Sequence, residues 1–227
     1  MKKRTGRPQQ RVKKPSGRGG WRPGAGRKPK GDKAGVSHRN REALSGRYPV
    51  QIILKLERGL PGLRNQAAHR LLRAAFEGAN ARDGFRLCEY SVRDDEIQLI
   101  LEASDRTALS RGMQALGIRI ALGLNRLWER TGRVFADRYE DRVLRSPREV
   151  RNALVEVLNG ARRHPPGSKR TIDPYTSGPW FDGWKEAGVG RSVKEPQERL
   201  TAQARSRLLQ SGWRRHGLIR VAEVPGG

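Results

Sequence analysis

Between Pro49 and His164 the apolar residues change their period several times, and that succession of periods limits the folds open to the chain. Pro49-Val50-Gln51-Ile52-Ile53-Leu54-Lys55-Leu56 is rich in β-branched residues and reads as a strand. Gly59-Leu60-Pro61-Gly62 is a turn. Over residues 64–78 a helix is expected, because Ala67, Leu71, Leu72, Ala75 and Phe76 share one face. Residues 85–91 and 96–102 alternate in character, and the short link Val92-Arg93-Asp94-Asp95 predicts an antiparallel hairpin. Asp105 is the N-cap of a long helix reaching about Arg130, with Leu109, Met113, Leu116, Ile120, Leu124 and Leu127 on its apolar side. Residues 134–144 read as extended. Ser146-Pro147-Arg148-Glu149 opens another helix, with a hydroxyl cap, proline in the first turn and glutamate three positions after the cap. That helix is expected to reach about Arg163, before Pro165-Pro166-Gly167.

The order is β-α-β-β-α-β plus a further helix, which predicts an α+β fold with a ferredoxin-like split βαβ core. Three regions follow. Residues 1–47 form a basic arm, residues 48–164 the core, and residues 165–227 an aromatic loop and a C-terminal helical extension. The loop carries Tyr175, Trp180, Phe181 and Trp184; a last helix is expected over residues 196–210, with Leu200, Ala204, Leu208 and Leu209 on one side.

Charge narrows the function. The chain has a formal charge of +25 and a sequence pI near 11.5. Such a balance repels itself unless a polyanion is near, and nucleic acid is the default partner because phosphate contacts release counterions. No run of about 18 apolar residues is available to span a membrane, and the basic start Met1-Lys2-Lys3-Arg4 has no apolar stretch after it, so a secretory signal is not expected. The lone Cys88 excludes an internal disulfide and a cysteine-built zinc site. A cytoplasmic, nucleoid-associated protein is the expectation. The arm has only Asp32 and Glu42 as acids and few large apolar residues, so it is expected to be disordered.

Several segments resemble a known family. Gly19-Gly20-Trp21-Arg22-Pro23-Gly24-Ala25-Gly26-Arg27-Lys28-Pro29 is similar to the basic lead-in of many bacterial transposases. Leu109-Ser110-Arg111-Gly112-Met113-Gln114, Leu124-Asn125-Arg126 and Gly132-Arg133-Val134-Phe135-Ala136-Asp137-Arg138-Tyr139 resemble their central helix and fourth strand. Arg148-Glu149-Val150-Arg151-Asn152-Ala153-Leu154, with Leu158-Asn159 and Ala161-Arg162-Arg163-His164, resembles their nucleophile-bearing helix. The family is the REP-associated tyrosine transposases, of the IS200-like group. The resemblance implies a ferredoxin-like nuclease that cuts single-stranded DNA near hairpins. Two histidines flanking one hydrophobic residue on a central strand would hold a divalent metal, and a tyrosine on the following helix would attack the phosphodiester. Residues i and i+2 of a strand face one way, so both imidazoles could reach one ion. Phenol serves as nucleophile and leaving group.

This chain departs from that pattern. The histidine pair reads Glu96-Ile97-Gln98, the tyrosine position falls on Glu156 or, with a one-residue shift, on Val155, and the first strand has Gln51. Glu96, Gln98 and Glu156 are expected to converge in one pocket without intact catalytic residues and with no functional metal site. Tyr90 and Tyr139 are expected in or beside the sheet, Asp137 and Asp141 as partners of Arg138 and Arg142, and all four histidines as solvated or close to phosphate. DNA, single-stranded or hairpin, is the expected partner, without a membrane role and with a homodimer left open. It would be held by Arg7, Arg22, Arg27 and Lys28 of the arm and by Arg119, Arg126, Arg133, Arg138, Arg142, Arg145 and Arg151 of the folded region. Thr5-Gly6-Arg7-Pro8 and Gly26-Arg27-Lys28-Pro29 resemble AT-hook cores in part. Trp128 and the aromatics of residues 175–184 could stack on bases or pack as a hydrophobic clasp. Two alternatives stay open: an active nuclease using Mg²⁺, with oxygen ligands from Glu96, Gln98 and Glu156, and an RNA-binding basic protein.

Overall fold

The computed structural model describes residues 42–160, 172–186 and 199–226, which belong to the compact unit from His38 to Gly227. Its elements are β1 (Val50–Lys55), α1 (Gln66–Ala79), β2 (Phe85–Val92), β3 (Glu96–Ala103), α2 (Arg106–Leu127), β4 (Glu140–Val143), α3 (Pro147–Asn159) and a single turn, α4 (Arg207–Gln210). The strands form one sheet in the order β2-β3-β1-β4, and every neighbouring pair is antiparallel. This is the split βαβ plait expected from the sequence.

Local signals explain the helix starts. The Asn65 side chain accepts from the Ala68 amide at 2.9 Å, and Asp105 accepts from Ala108 at 2.8 Å. At α3 the full capping box forms: the Ser146 hydroxyl accepts from the Glu149 amide, and the Glu149 carboxylate accepts from the Ser146 amide.

Strand alternation sorts side chains between two cores. Val50, Ile52 and Leu54 of β1 join Leu99 and Leu101 of β3 under α1 and α2. On the opposite face, Ile100 meets Val150, Leu154 and Leu158 of α3, together with Phe181, Trp184, Trp213, Ile219 and Val221 of the C-terminal segment. A β-bulge lies in β2: Leu87 pairs with Leu101, yet Glu89 pairs with Ile100, so Cys88 is the extra residue. Leu87 and Tyr90 thereby keep facing the first core, while Cys88 packs in the second and Glu89 turns towards the same side.

The outer edge of β2 is covered by the chain's own C-terminal segment. Val92 donates to Tyr175, the Tyr90 amide donates to the Ser177 hydroxyl, and Ala202 donates to Leu87. An edge paired in this way offers no template to another strand.

Three expectations need correction. The extended stretch over residues 134–144 is interrupted: Phe135 forms an antiparallel bridge with Leu56, the continuous strand is Glu140–Val143, and between them the chain bends where the Asp137 carboxylate takes the Arg138 amide. The last helix, expected over residues 196–210, is confined in the described part to Arg207–Gln210. Residues 199–205 run without helix because the Ala202 amide serves the β2 edge and the Arg205 and Ser206 amides are taken by the Glu102 carboxylate. Leu44, within the stretch read as basic arm, is buried in the first core.

Candidate functional site

The register brings a row of polar side chains onto the sheet face beside α3. Gln51 lies opposite Ile100 on β3 and Arg142 on β4; Ile53 lies opposite Gln98 and Glu140; Lys55 lies opposite Glu96. Glu156 comes from α3, whose helical turn at residues 153–158 otherwise packs in the second core.

Two hydrogen-bonded chains occupy this face. In one, the Arg93 guanidinium donates to Glu96 Oε1 at 2.7 Å and the Gln98 amide donates to the same oxygen at 2.8 Å. In the other, Arg142 donates to Gln51 Oε1 at 2.6 Å, and Gln51 Nε2 donates to Glu156 Oε2 at 3.0 Å. The Arg142 guanidinium is also 3.7 Å from Glu156. Arg93 joins the two by donating to the Glu156 backbone carbonyl at 3.3 Å.

The expected convergence of Glu96, Gln98 and Glu156 is therefore only partial. Glu156 lines an open cavity of about 240 Å³ with Gln51, Ile53, Glu140, Asp141 and Arg142. Glu96 and Gln98 share the face but not the cavity: Gln98 is 1% exposed beneath α3, and Glu96 is drawn to Arg93 at the hairpin. Neither carboxylate suits a divalent ion as arranged, since a metal at Glu96 would meet the Arg93 guanidinium and one at Glu156 would meet Arg142. Among the described residues no group of three or more His, Cys, Asp or Glu could hold a metal.

The tyrosines stand elsewhere. Tyr90 is buried in the first core against Phe76, with ring centroids 4.8 Å apart. Burial pushes its phenol up to about 12. Tyr139 packs against the same core, Tyr48 lies under the Arg47 guanidinium, and Tyr175 contacts His69 and Arg64. His69 is thus not a solvated residue: burial, reinforced by Arg73, lowers its ring to about 4. Of the other histidines, His216 is exposed, and His38 and His164 lie outside the described residues.

The arginines separate into distinct uses. Arg7, Arg22, Arg27 and Lys28 lie outside the described residues. Arg119 and Arg126 are exposed on α2, and Arg138 is exposed just before β4. Arg133 donates to the carbonyls of Phe135 and Ala136, fixing the approach to β4. Arg145 pairs with Glu42 at 2.6 Å. Arg151 clamps the C-terminal tail, with a two-pronged contact to Glu223 at 2.6 and 2.9 Å and further bonds to Gly217 and Leu218 carbonyls. Asp141 pairs with Arg106 at 2.6 Å on the other side of the sheet, while Arg142 bonds Gln51, so their expected pairing is replaced. Phe181 and Trp184 form the clasp, with Trp213 stacked on Phe181 at 5.6 Å. Trp128, Tyr175 and Trp180 stay part-exposed.

Residues outside the sequence reading also matter. Arg93 organises the site, and Glu102 anchors the tail. The first has a local signal, its position three residues before Glu96; the second depends on a partner over one hundred residues away.

The fold and site together define an α+β domain of ferredoxin-like topology with a hydrogen-bonded polar network on the sheet face beside α3, in which Gln98 Oε1 and Arg93 Nε are buried without a partner. No family model matches the chain, and no curated protein matches it. Among solved structures, it is similar to a REP-associated tyrosine transposase bound to a REP hairpin, at 14% identity over 63% of this chain and 82% of that one, with a TM-score of 0.49. A second similar structure is a protein of Deinococcus radiodurans R1 provisionally described as a transposase, at 14% identity over 48% of this chain and 85% of that one, with a TM-score of 0.36.

Proposed function

We propose that this chain is a DNA-binding protein on the plan of the REP-associated tyrosine transposases that holds structured or single-stranded DNA without cutting it. The observation that carries this reading is the network Arg93–Glu96–Gln98 with Arg142–Gln51–Glu156. The positions from which an imidazole pair and a phenol would act hold hydrogen-bonded carboxylates and amides. A carboxylate at Glu156 cannot replace the phenol, since its acyl phosphate would hydrolyse. The charge of +25 and the exposed Arg119, Arg126 and Arg138 support binding to phosphate. The motif segments over residues 109–164 support the family plan. Such a protein would work in the cytoplasm, beside the nucleoid; no described helix is long and apolar enough to cross a membrane.

The test is incubation with a 5′-labelled hairpin oligonucleotide and Mg²⁺ or Mn²⁺. Retention of the hairpin with neither cleavage nor a covalent adduct is expected. Metal-dependent nicking would replace this reading with the active nuclease, and preference for RNA of the same sequence would replace it with the RNA-binding one.

A further inference from the structure

A second cavity, of about 280 Å³, opens on the far side of α3, between β2 and the C-terminal segment. Glu89 forms part of its wall because the bulge at Cys88 turns that carboxylate to this face. The residue is only 7% exposed. Its Oε2 accepts the Ser177 hydroxyl at 2.5 Å, and its Oε1 has no hydrogen-bond partner among the described residues. That oxygen is open to the cavity rather than sealed among protein atoms, so a donor brought there can bond to it. Around the opening stand Arg199 and Gln203, and the edges of Phe181 and Trp213 supply an apolar wall. Arg199 uses its Nε on Thr201 at 3.2 Å, which leaves its two terminal nitrogens for a ligand.

The complementary group presents adjacent N–H donors to the carboxylate and acceptors to the guanidinium. A free cation is a poor candidate, because the chain already carries +25. A neutral base on a polyanionic strand meets no such penalty. Guanine alone among the bases offers N1–H and N2–H side by side, and its O6/N7 edge is the usual partner of arginine. The volume is slightly below the roughly 300–1,000 Å³ of drug-sized sites, which is room enough for one base.

We propose that this cavity takes a single unpaired guanine of a bound strand, with its N1 and N2 donors on Glu89 and its O6/N7 edge on Arg199. The proposal rests on the DNA-binding reading and adds a base preference to it.

Fluorescence anisotropy at pH 8 with the full chain tests it, using dT12 and the same strand carrying one central dG, dA, dC or deoxyinosine. The dG strand is expected to bind about tenfold tighter than dT12, within the roughly 1–3 kcal/mol of a good base contact. Deoxyinosine, which lacks the N2 donor, should lose most of that gain, and Glu89→Gln should abolish the ratio between dG and dT12 strands. Equal binding of dG and dT12 overturns the proposal while leaving DNA binding intact. Failure of every strand to bind overturns the DNA reading. A separate arm reads the cavity itself: saturation-transfer NMR with dGMP and dCMP should show contact for dGMP only, lost in Glu89→Gln. Absence of that contact, or its persistence in the variant, overturns the cavity assignment.

Discussion

Glu89 shows how one side chain can work against the fold that holds it. Burial pushes its carboxyl from 4.5 up to about 7, while the Ser177 hydroxyl and Arg199 pull it down and Asp182 adds a small push upward. Between those two values the unfolded chain has released the proton and the folded chain retains it, so stability falls as pH rises. The full penalty is reached above pH 7 and amounts to roughly 3 kcal/mol. Glu89→Gln is therefore expected to raise the urea midpoint at pH 8 and to change it little at pH 4; an equal effect at both values would show that ionisation is not the cause. The arginines divide in a comparable way. Arg126→Ala should weaken DNA binding and lower the salt slope by about one, with little change in thermal stability. Arg151→Ala should instead cost about 2 kcal/mol of stability, because it strips Glu223 of its part-buried partner. Thermal melts beside salt titrations separate these outcomes. The sequence could not sort these roles: Arg126 and Arg151 look alike until Glu223, 72 positions later, is folded onto one of them.

At the scale of elements, legibility followed the range of the forces involved. The start of α3 was readable because Ser146, Pro147 and Glu149 settle it among themselves. Ser146→Ala is expected to cost about 1 kcal/mol, measured by chemical denaturation. The hairpin of β2 and β3 was readable for the same reason, but its bulge was not, since alternation through residues 85–91 gives no sign that Cys88 is extra. That single insertion decides where Glu89 faces. Residues 199–205 carry apolar residues at helical spacing, yet tertiary hydrogen bonds to Leu87 and Glu102 outcompete the helix. Glu102→Ala should accordingly free the amides of Arg205 and Ser206. Hydrogen exchange there should accelerate well before exchange in β1, and unchanged protection would deny Glu102 its anchoring role. The site was half legible. That Glu96, Gln98 and Glu156 stand where the resemblance expects imidazole and phenol was visible in the sequence, whereas the pairing of Glu96 with Arg93 and of Glu156 with Gln51 required the register.

For the whole molecule, the proposed DNA binding is expected to draw its affinity and its selectivity from different parts. The basic residues before residue 34 resemble a base-reading motif only in the partial AT-hook segments. Deleting residues 1–33 is expected to lower affinity for all DNA sequences about equally, by filter binding at fixed salt; a loss confined to A·T-rich DNA would favour minor-groove reading. The folded unit, in turn, has its sheet finished on one side. With Tyr175, Ser177 and Ala202 bonded along β2, strand-to-strand growth can proceed only past β4, a strand of four residues. Two copies joined β4 to β4 would use up that side in both. Any assembly built by sheet continuation must then stop at a pair, so the chain's own tail acts as a terminator against open-ended fibres.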